Sequence, residues 1–224
     1  MNYNVRINEV KNQDSNVKAF ATVTFDDQLV VRNISIVERK SGDGVFVSMP
    51  SYRTSMVDEF GIPEYKDICF PITSEFHKEF TTSILDAYEA LKDGMLDKDG
   101  MNFGDGVDGI DYDVKMRLSD SKEGNSIRAY GQVTLDNCFV ISNISIVEGK
   151  NGEFISMPSY KAGNSSKYRD IAFPITKEFR SELYKKILDS YQNELTMEKA
   201  MQQNAPAGLV AENRDFQENV KAYR

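Results

Sequence analysis

The stretch YKDICFPIT at Tyr65–Thr73 returns as YRDIAFPIT at Tyr168–Thr176. This duplication constrains the chain more than any other feature, because a chain written twice must fold twice. NISIVE stands at Asn33–Glu38 and again at Asn143–Glu148, and SMPSY at Ser48–Tyr52 and Ser156–Tyr160, in the same order. KAFATVTFDDQLVVR from Lys18 answers RAYGQVTLDNCFVIS from Arg128, and LDAYEAL from Leu85 answers LDSYQNEL from Leu188. Each copy is of domain size, far longer than a solenoid repeat of about 20–50 residues. The division is residues 1–92 for copy one, 93–109 for a Gly/Asp-rich stretch with the composition of a flexible linker, 110–195 for copy two, and 196–224 for a C-terminal extension.

Within a copy, YNVRINEV alternates apolar and polar residues as a half-buried strand does. KAFATVTFD and LVVRNISIVE read as two more strands joined by a hairpin at Asp26 and Asp27, and VFVSMP reads as a short fourth strand ended by proline. A loop of variable sequence leads to FPIT and then to a helix, with Thr73 and Thr176 as N-caps and Glu75 and Glu178 in the first turn. Phe76, Phe80, Ile84, Tyr88 and Leu91 recur at helical spacing, as do Phe179, Leu183, Ile187, Tyr191 and Leu195; these rows face the sheet. The fold class expected is therefore α+β: two tandem antiparallel sheets, each with a C-terminal helix. One helix covers one sheet face, so each copy needs a partner for its edges, and the other copy supplies it. TMEKAMQQ, from Thr196, extends the second helix until Ala-Pro-Ala-Gly breaks it; from Leu209 on, the chain is a docking segment or a disordered tail.

Other chemistry is poorly served. Cys69 and Cys138 face Ala172 and Gln28 in the repeat alignment, so neither belongs to a duplicated metal or redox site. The one histidine, His77, faces Arg180 in that alignment and is expected at the surface. There is no phosphate-binding Gly-rich loop with Lys-Ser or Lys-Thr, no Cys-x-x-Cys and no His-Glu-x-x-His. The acidic linker lacks the spacing of a calcium loop, and no base accompanies the serines of SMPSY. No enzyme activity, metal or cofactor is expected. No apolar run approaches the ~20 residues that cross a bilayer, and MNYNVRINEV lacks a signal peptide's apolar segment, so the default location is cytoplasmic.

The order of VTFDDQLVV and VTLDNCFVI, ISIVE twice, FVSMPSYRT and FISMPSYKA, then YKDICFPI and YRDIAFPI resembles the SpoVG family of bacterial septation and sporulation regulators. The resemblance covers both copies almost end to end. It implies a non-enzymatic regulator that binds DNA or RNA, and, since family members are homodimers, a pseudo-dimer built within one chain. The sequence departs from the family in two places. The basic pair after MPS becomes Tyr52-Arg53 and Tyr160-Lys161, and the histidine before the PI turn becomes Phe70 and Phe173.

The net charge of -8 is the wrong sign for a nonspecific nucleic-acid binder, so its distribution matters. Copy one has 10 Lys+Arg against 14 Asp+Glu, and copy two has 12 against 12. The stretch after MPSY is mixed in copy one, where Asp58, Glu59 and Glu64 oppose Arg53 and Lys66. In copy two it carries Tyr160, Lys161, Lys167, Tyr168 and Arg169 with only Asp170 opposing them, followed by Lys177 and Arg180 at the helix start. Aromatic and basic residues interleaved in this way suit phosphates and unstacked bases. The candidate nucleic-acid face is these seven residues of copy two with Arg53 and Lys66 of copy one. The alternative is a protein-interaction module, such as a phage-borne inhibitor or adaptor, that binds a host protein through the acidic first copy.

Overall fold

The computed structural model describes residues 1–11, 14–106, 109–119, 125–161 and 167–204. Copy one runs β1 (Tyr3–Glu9), β2 (Val17–Phe25), β3 (Leu29–Glu38), β4 (Val45–Ser48), β5 (Ser51–Val57), β6 (Pro63–Asp67), β7 (Cys69–Pro71) and α1 (Ser74–Lys92). β8 (Met101–Phe103) follows. Copy two repeats the series as β9 (Tyr112–Leu118), β10 (Ile127–Leu135), β11 (Phe139–Gly149), β12 (Gly152–Ser156), β13 (Ser159–Lys161), β14 (Tyr168–Asp170), β15 (Ala172–Pro174) and α2 (Lys177–Asn204). The expected class holds: antiparallel sheets, each followed by a helix.

The β2–β3 hairpin turns at Asp26 and Asp27, both at positive φ, and its counterpart turns at Asp136 and Asn137 likewise. This is the I′ geometry that matches strand twist and that Asp and Asn tolerate. A bulge then divides the central strand of each copy. The register jumps between Ala21 and Val23, and Asn33 opposite sits at φ 68; Asn143 sits at φ 60 beside the same jump in copy two. The bulge gives β3 two partners on one edge. Its second half takes β4 of its own copy, Ser35 facing Ser48, while its first half takes β15 of the other copy, Val31 facing Ala172. β11 does the same with β12 and β7.

The FPIT segments, expected as turns leading into helices, are thus exchanged strands. Each completes the sheet of the opposite copy, giving one sheet of six strands, β15-β3-β2-β1-β8 with β4, and one of five, β12-β11-β10-β9 with β7. The exchange carries core with it. Phe139 of copy two lies 5.1 Å from Phe25 and 5.3 Å from Phe80 of copy one, ring centre to ring centre, in a cluster with Tyr3 and Phe76. A single apolar core runs through both copies.

Both helices begin as read. The Thr73 hydroxyl accepts from Phe76 N–H and Thr176 from Phe179 N–H, and the expected apolar rows are buried against the sheets except at their last members, Leu91 and Leu195, which are half-buried. α2 continues through the TMEKAMQQ stretch; the Ala-Pro-Ala-Gly break and everything beyond it lie outside the described residues.

The copies differ at one sheet edge. Part of the stretch expected as a flexible linker is β8, which pairs with β1, Tyr3 against Phe103 and Val5 against Met101. Gly100 and Gly104 allow this: both have positive φ, and a Cβ on either would lie 2.6 Å from the Val5 or Met1 carbonyl oxygen. No strand covers the equivalent edge of β9 among the described residues. There α2 seals the backbone instead: Ser190 Oγ accepts from Met116 N–H at 3.2 Å and donates to the Val114 carbonyl, while Lys186 Nζ donates to the Tyr112 carbonyl. The aligned residues of α1 are Ala87 and Ser83, and neither plays that part; Ser83 bonds the Tyr3 hydroxyl.

Candidate nucleic-acid interface

The stretch after MPSY, expected as a loop, forms a two-stranded ribbon in each copy, β5–β6 and β13–β14, separate from the main sheets. Tyr, Thr and Val in β5 and Tyr in β6, β13 and β14 favour extended backbone. Directly opposed residues share a face, with Cβ atoms about 5 Å apart. In copy two Tyr160 opposes Arg169 and Lys161 opposes Tyr168. In copy one Tyr52 opposes Lys66 and Arg53 opposes Tyr65. Every face of both arms therefore carries one tyrosine beside one cation.

The two faces are not equivalent. Tyr160 is half-buried against the core, whereas Tyr168 is 70% exposed beside the exposed Lys161. Arg53 and the exposed Tyr65 make the same outward pair on copy one. The candidate face drawn from the sequence omits Tyr52 and Tyr65, although their alignment with Tyr160 and Tyr168 was the available signal. Lys167 immediately precedes β14. Lys177 and Arg180 stand apart from this ladder on the first turn of α2, and the Arg180 guanidinium donates to the Pro174 carbonyl at 3.0 Å, fastening the helix start to β15. Its position is as much structural as electrostatic.

Charge separates the arms. Lys66 lies 4.0 Å from Glu64, whose carboxylate also accepts from the Thr54 hydroxyl. No ion pair engages Lys161 or Arg169 among the described residues. The tip of the copy-one arm is also apolar: Met56, Val57, Phe60 and Ile62 are all exposed, Phe60 by 80%, around a turn held by the Asp58 carboxylate accepting from the N–H groups of Phe60 and Ile62.

Each arm is rooted on the other copy, which sequence reading missed. Arg32 of copy one donates through Nε to the Asp170 carbonyl at the foot of β14, lies over the Phe173 ring at 5.0 Å, and its N–H donates to the Ile171 carbonyl. At the aligned position Ser142 donates from N–H and hydroxyl to the Ile68 carbonyl below β6. The foot of each arm is thus fastened to the opposite copy.

Burial raises the Cys69 thiol well above its ordinary range and pushes Cys138 up to about 11, which favours the unreactive thiol form of both. His77 is exposed, as expected. Among the described residues no group of His, Cys, Asp and Glu could hold a metal, and no helix is long and apolar enough to cross a membrane.

The family model for SpoVG matches residues 1–90 and again 111–193, in register with the two structural copies. The chain belongs to the SpoVG family. Relatives that carry the septation-protein SpoVG name include those of Treponema denticola, 41% identical over 79 residues, and Acetivibrio thermocellus, 44% identical over 81. These matches span 35% and 36% of this chain but 84% and 83% of the relatives. The protein of Borreliella burgdorferi is 39% identical over 83 residues, 37% of this chain and 84% of its own. A SpoVG relative is thus about the size of one copy, and this chain holds two.

Proposed function

We propose that this chain is a non-enzymatic regulatory protein that binds DNA or RNA through its two arms, with the copy-two arm as the stronger contact. The observation that carries the reading is the repeated pairing of tyrosine with a cation on every arm face. A cation held beside an exposed ring serves a phosphate and the adjacent base together. Membership of the SpoVG family supports it, and the opposed charge of the copy-one arm accounts for the ranking of the two.

Fluorescence anisotropy of labelled single-stranded DNA, duplex DNA and RNA at two salt concentrations tests it. Binding should weaken steeply as salt rises, because phosphate contacts release counterions. The triple variant Lys161→Glu, Lys167→Glu, Arg169→Glu should lose it. Absence of binding at low salt, or binding indifferent to the triple variant, would refute this assignment of the face.

A second reading rests on the copy-one arm. Four exposed apolar side chains at one hairpin tip, beside Asp58, Glu59 and Glu64, suit a protein partner with an apolar, basic-rimmed surface. On that reading nucleic acid does not bind, and Phe60→Ser removes the partner contact.

A further inference from the structure

The arms are not the only place where rings and cations meet. α2 packs on one face of the five-stranded sheet, and among the described residues no helix packs over the other. On that other face the register sets Tyr130 directly between Arg117 of β9 and Ser145 of β11, and sets Gln132 against Lys115 one step along. Ser145 in turn opposes Ser156, and Val147 opposes Phe154, so Phe154 shares the face. Tyr130 is 46% exposed and Phe154 52%, and Lys115 and Arg117 are exposed along the adjoining edge strand. Two strands and two residues separate the rings, about 12 Å at ordinary sheet spacings.

We infer that this open face of copy two is a second nucleic-acid surface, a stacking platform for a single strand, with the Tyr130 ring under an unpaired base and Lys115 and Arg117 on the flanking phosphates. The inference rests on the proposed nucleic-acid function and adds a site to it. Three features select this occupant. The two cations, on the outermost strand, complement a phosphate backbone, and the only described ion pair there, Lys115 with Asp113 at 3.9 Å, is solvent-exposed and weak. Gln132, Ser145 and Ser156 interrupt the rings with polar groups, which suits bases that stack and hydrogen-bond singly rather than a continuous apolar protein surface. A duplex hides its base faces, so ring stacking selects single strands.

The copy-one face argues the same by contrast. Phe20 and Asn8 occupy the places of Tyr130 and Arg117. Arg6, in the place of Lys115, donates to the Asp99 carbonyl, and the Arg39 guanidinium lies over the Phe46 ring that matches Phe154. The platform belongs to copy two alone.

The chain has no tryptophan, so Tyr130→Trp places a unique fluorophore on the face. Titrated with oligothymidylate, its emission should be quenched in step with the anisotropy rise of the labelled strand; a rise without quenching overturns the platform. Tyr130→Ala with Arg117→Gln should weaken single-stranded binding about fivefold or more and leave duplex binding unchanged, with folding checked by circular dichroism. Single-stranded affinity equal to that of the unaltered chain in a folded variant also overturns it. Binding abolished by the arm triple variant yet indifferent to both face variants refutes the platform alone. Failure of the unaltered chain to bind any nucleic acid refutes the functional reading and the platform together.

Discussion

Ser190 and Ala87 occupy the same position in the two copies, and the difference between them is one hydroxyl that bridges Met116 N–H and the Val114 carbonyl. Met116 is buried, so its amide would find no water if the hydroxyl were removed. Ser190→Ala should cost about 1–2 kcal/mol in urea unfolding, the scale of a lost hydrogen bond that strands a buried donor. Ala87→Ser should gain nothing, since β8 already covers that edge. Tyr3 is a second residue-scale case. Burial, with the Glu79 carboxylate nearby and the Ser83 bond opposing, pushes its phenol up to about 12 from 10.0. The folded state holds this proton more tightly than the unfolded state, so the stabilisation is complete below about pH 10 and is lost as pH rises towards 12. Unfolding midpoints measured across that range should fall, and Tyr3→Phe, less stable at neutral pH, should show a shallower decline.

At the scale of elements, strands β1 to β4, both hairpin turns, both helix caps and the apolar helix rows were legible in the sequence, because each rests on local signals: alternation, Asp-Asp and Asp-Asn turns, Thr with Glu in the first turn. What was not legible depends on contacts distant in sequence. FPIT carries no local mark saying that its partner strand belongs to the other copy. The arms were read as loops because their strands are charged and largely exposed on both faces, which leaves no apolar–polar alternation to read, although the tyrosine–cation pattern of the candidate site was already present in the letters. Arg32 could not have been found, since its duty at the foot of the copy-two arm lies 138 residues away. β8 was hidden by its glycines, whose composition signals a linker while their positive φ permits close approach to β1. Gly104→Ala tests that element: the added Cβ would meet the Met1 carbonyl oxygen at 2.6 Å on a backbone at φ 121. It should release β8, which hydrogen exchange would record as faster exchange of the β1 and β8 amides, with the α2-sealed edge of β9 unaffected.

Across the whole molecule, strand exchange makes the duplication more than a convenience. Neither copy closes its own sheet, and copy one completes its aromatic cluster with Phe139 of copy two. Phe139→Ala should therefore unfold copy one as readily as copy two, at a cost of about 3–5 kcal/mol for a truncated core ring, with a single transition seen by probes in either half. Met1–Lys92 expressed alone carries a β7 with no β11 to join. Its available substitute is β3 of a second Met1–Lys92 chain, where Leu29 would stand in place of Phe139 and underfill the ring cluster. The isolated copy should then fold only as a homodimer whose melting temperature rises with protein concentration, read by analytical ultracentrifugation alongside thermal scans. The full chain should melt independently of concentration, because the linker holds the second copy at roughly millimolar effective concentration. A compact, stable Met1–Lys92 monomer would mean that the exchanged strands are dispensable and that the arms, rooted on the opposite copy, do not need it.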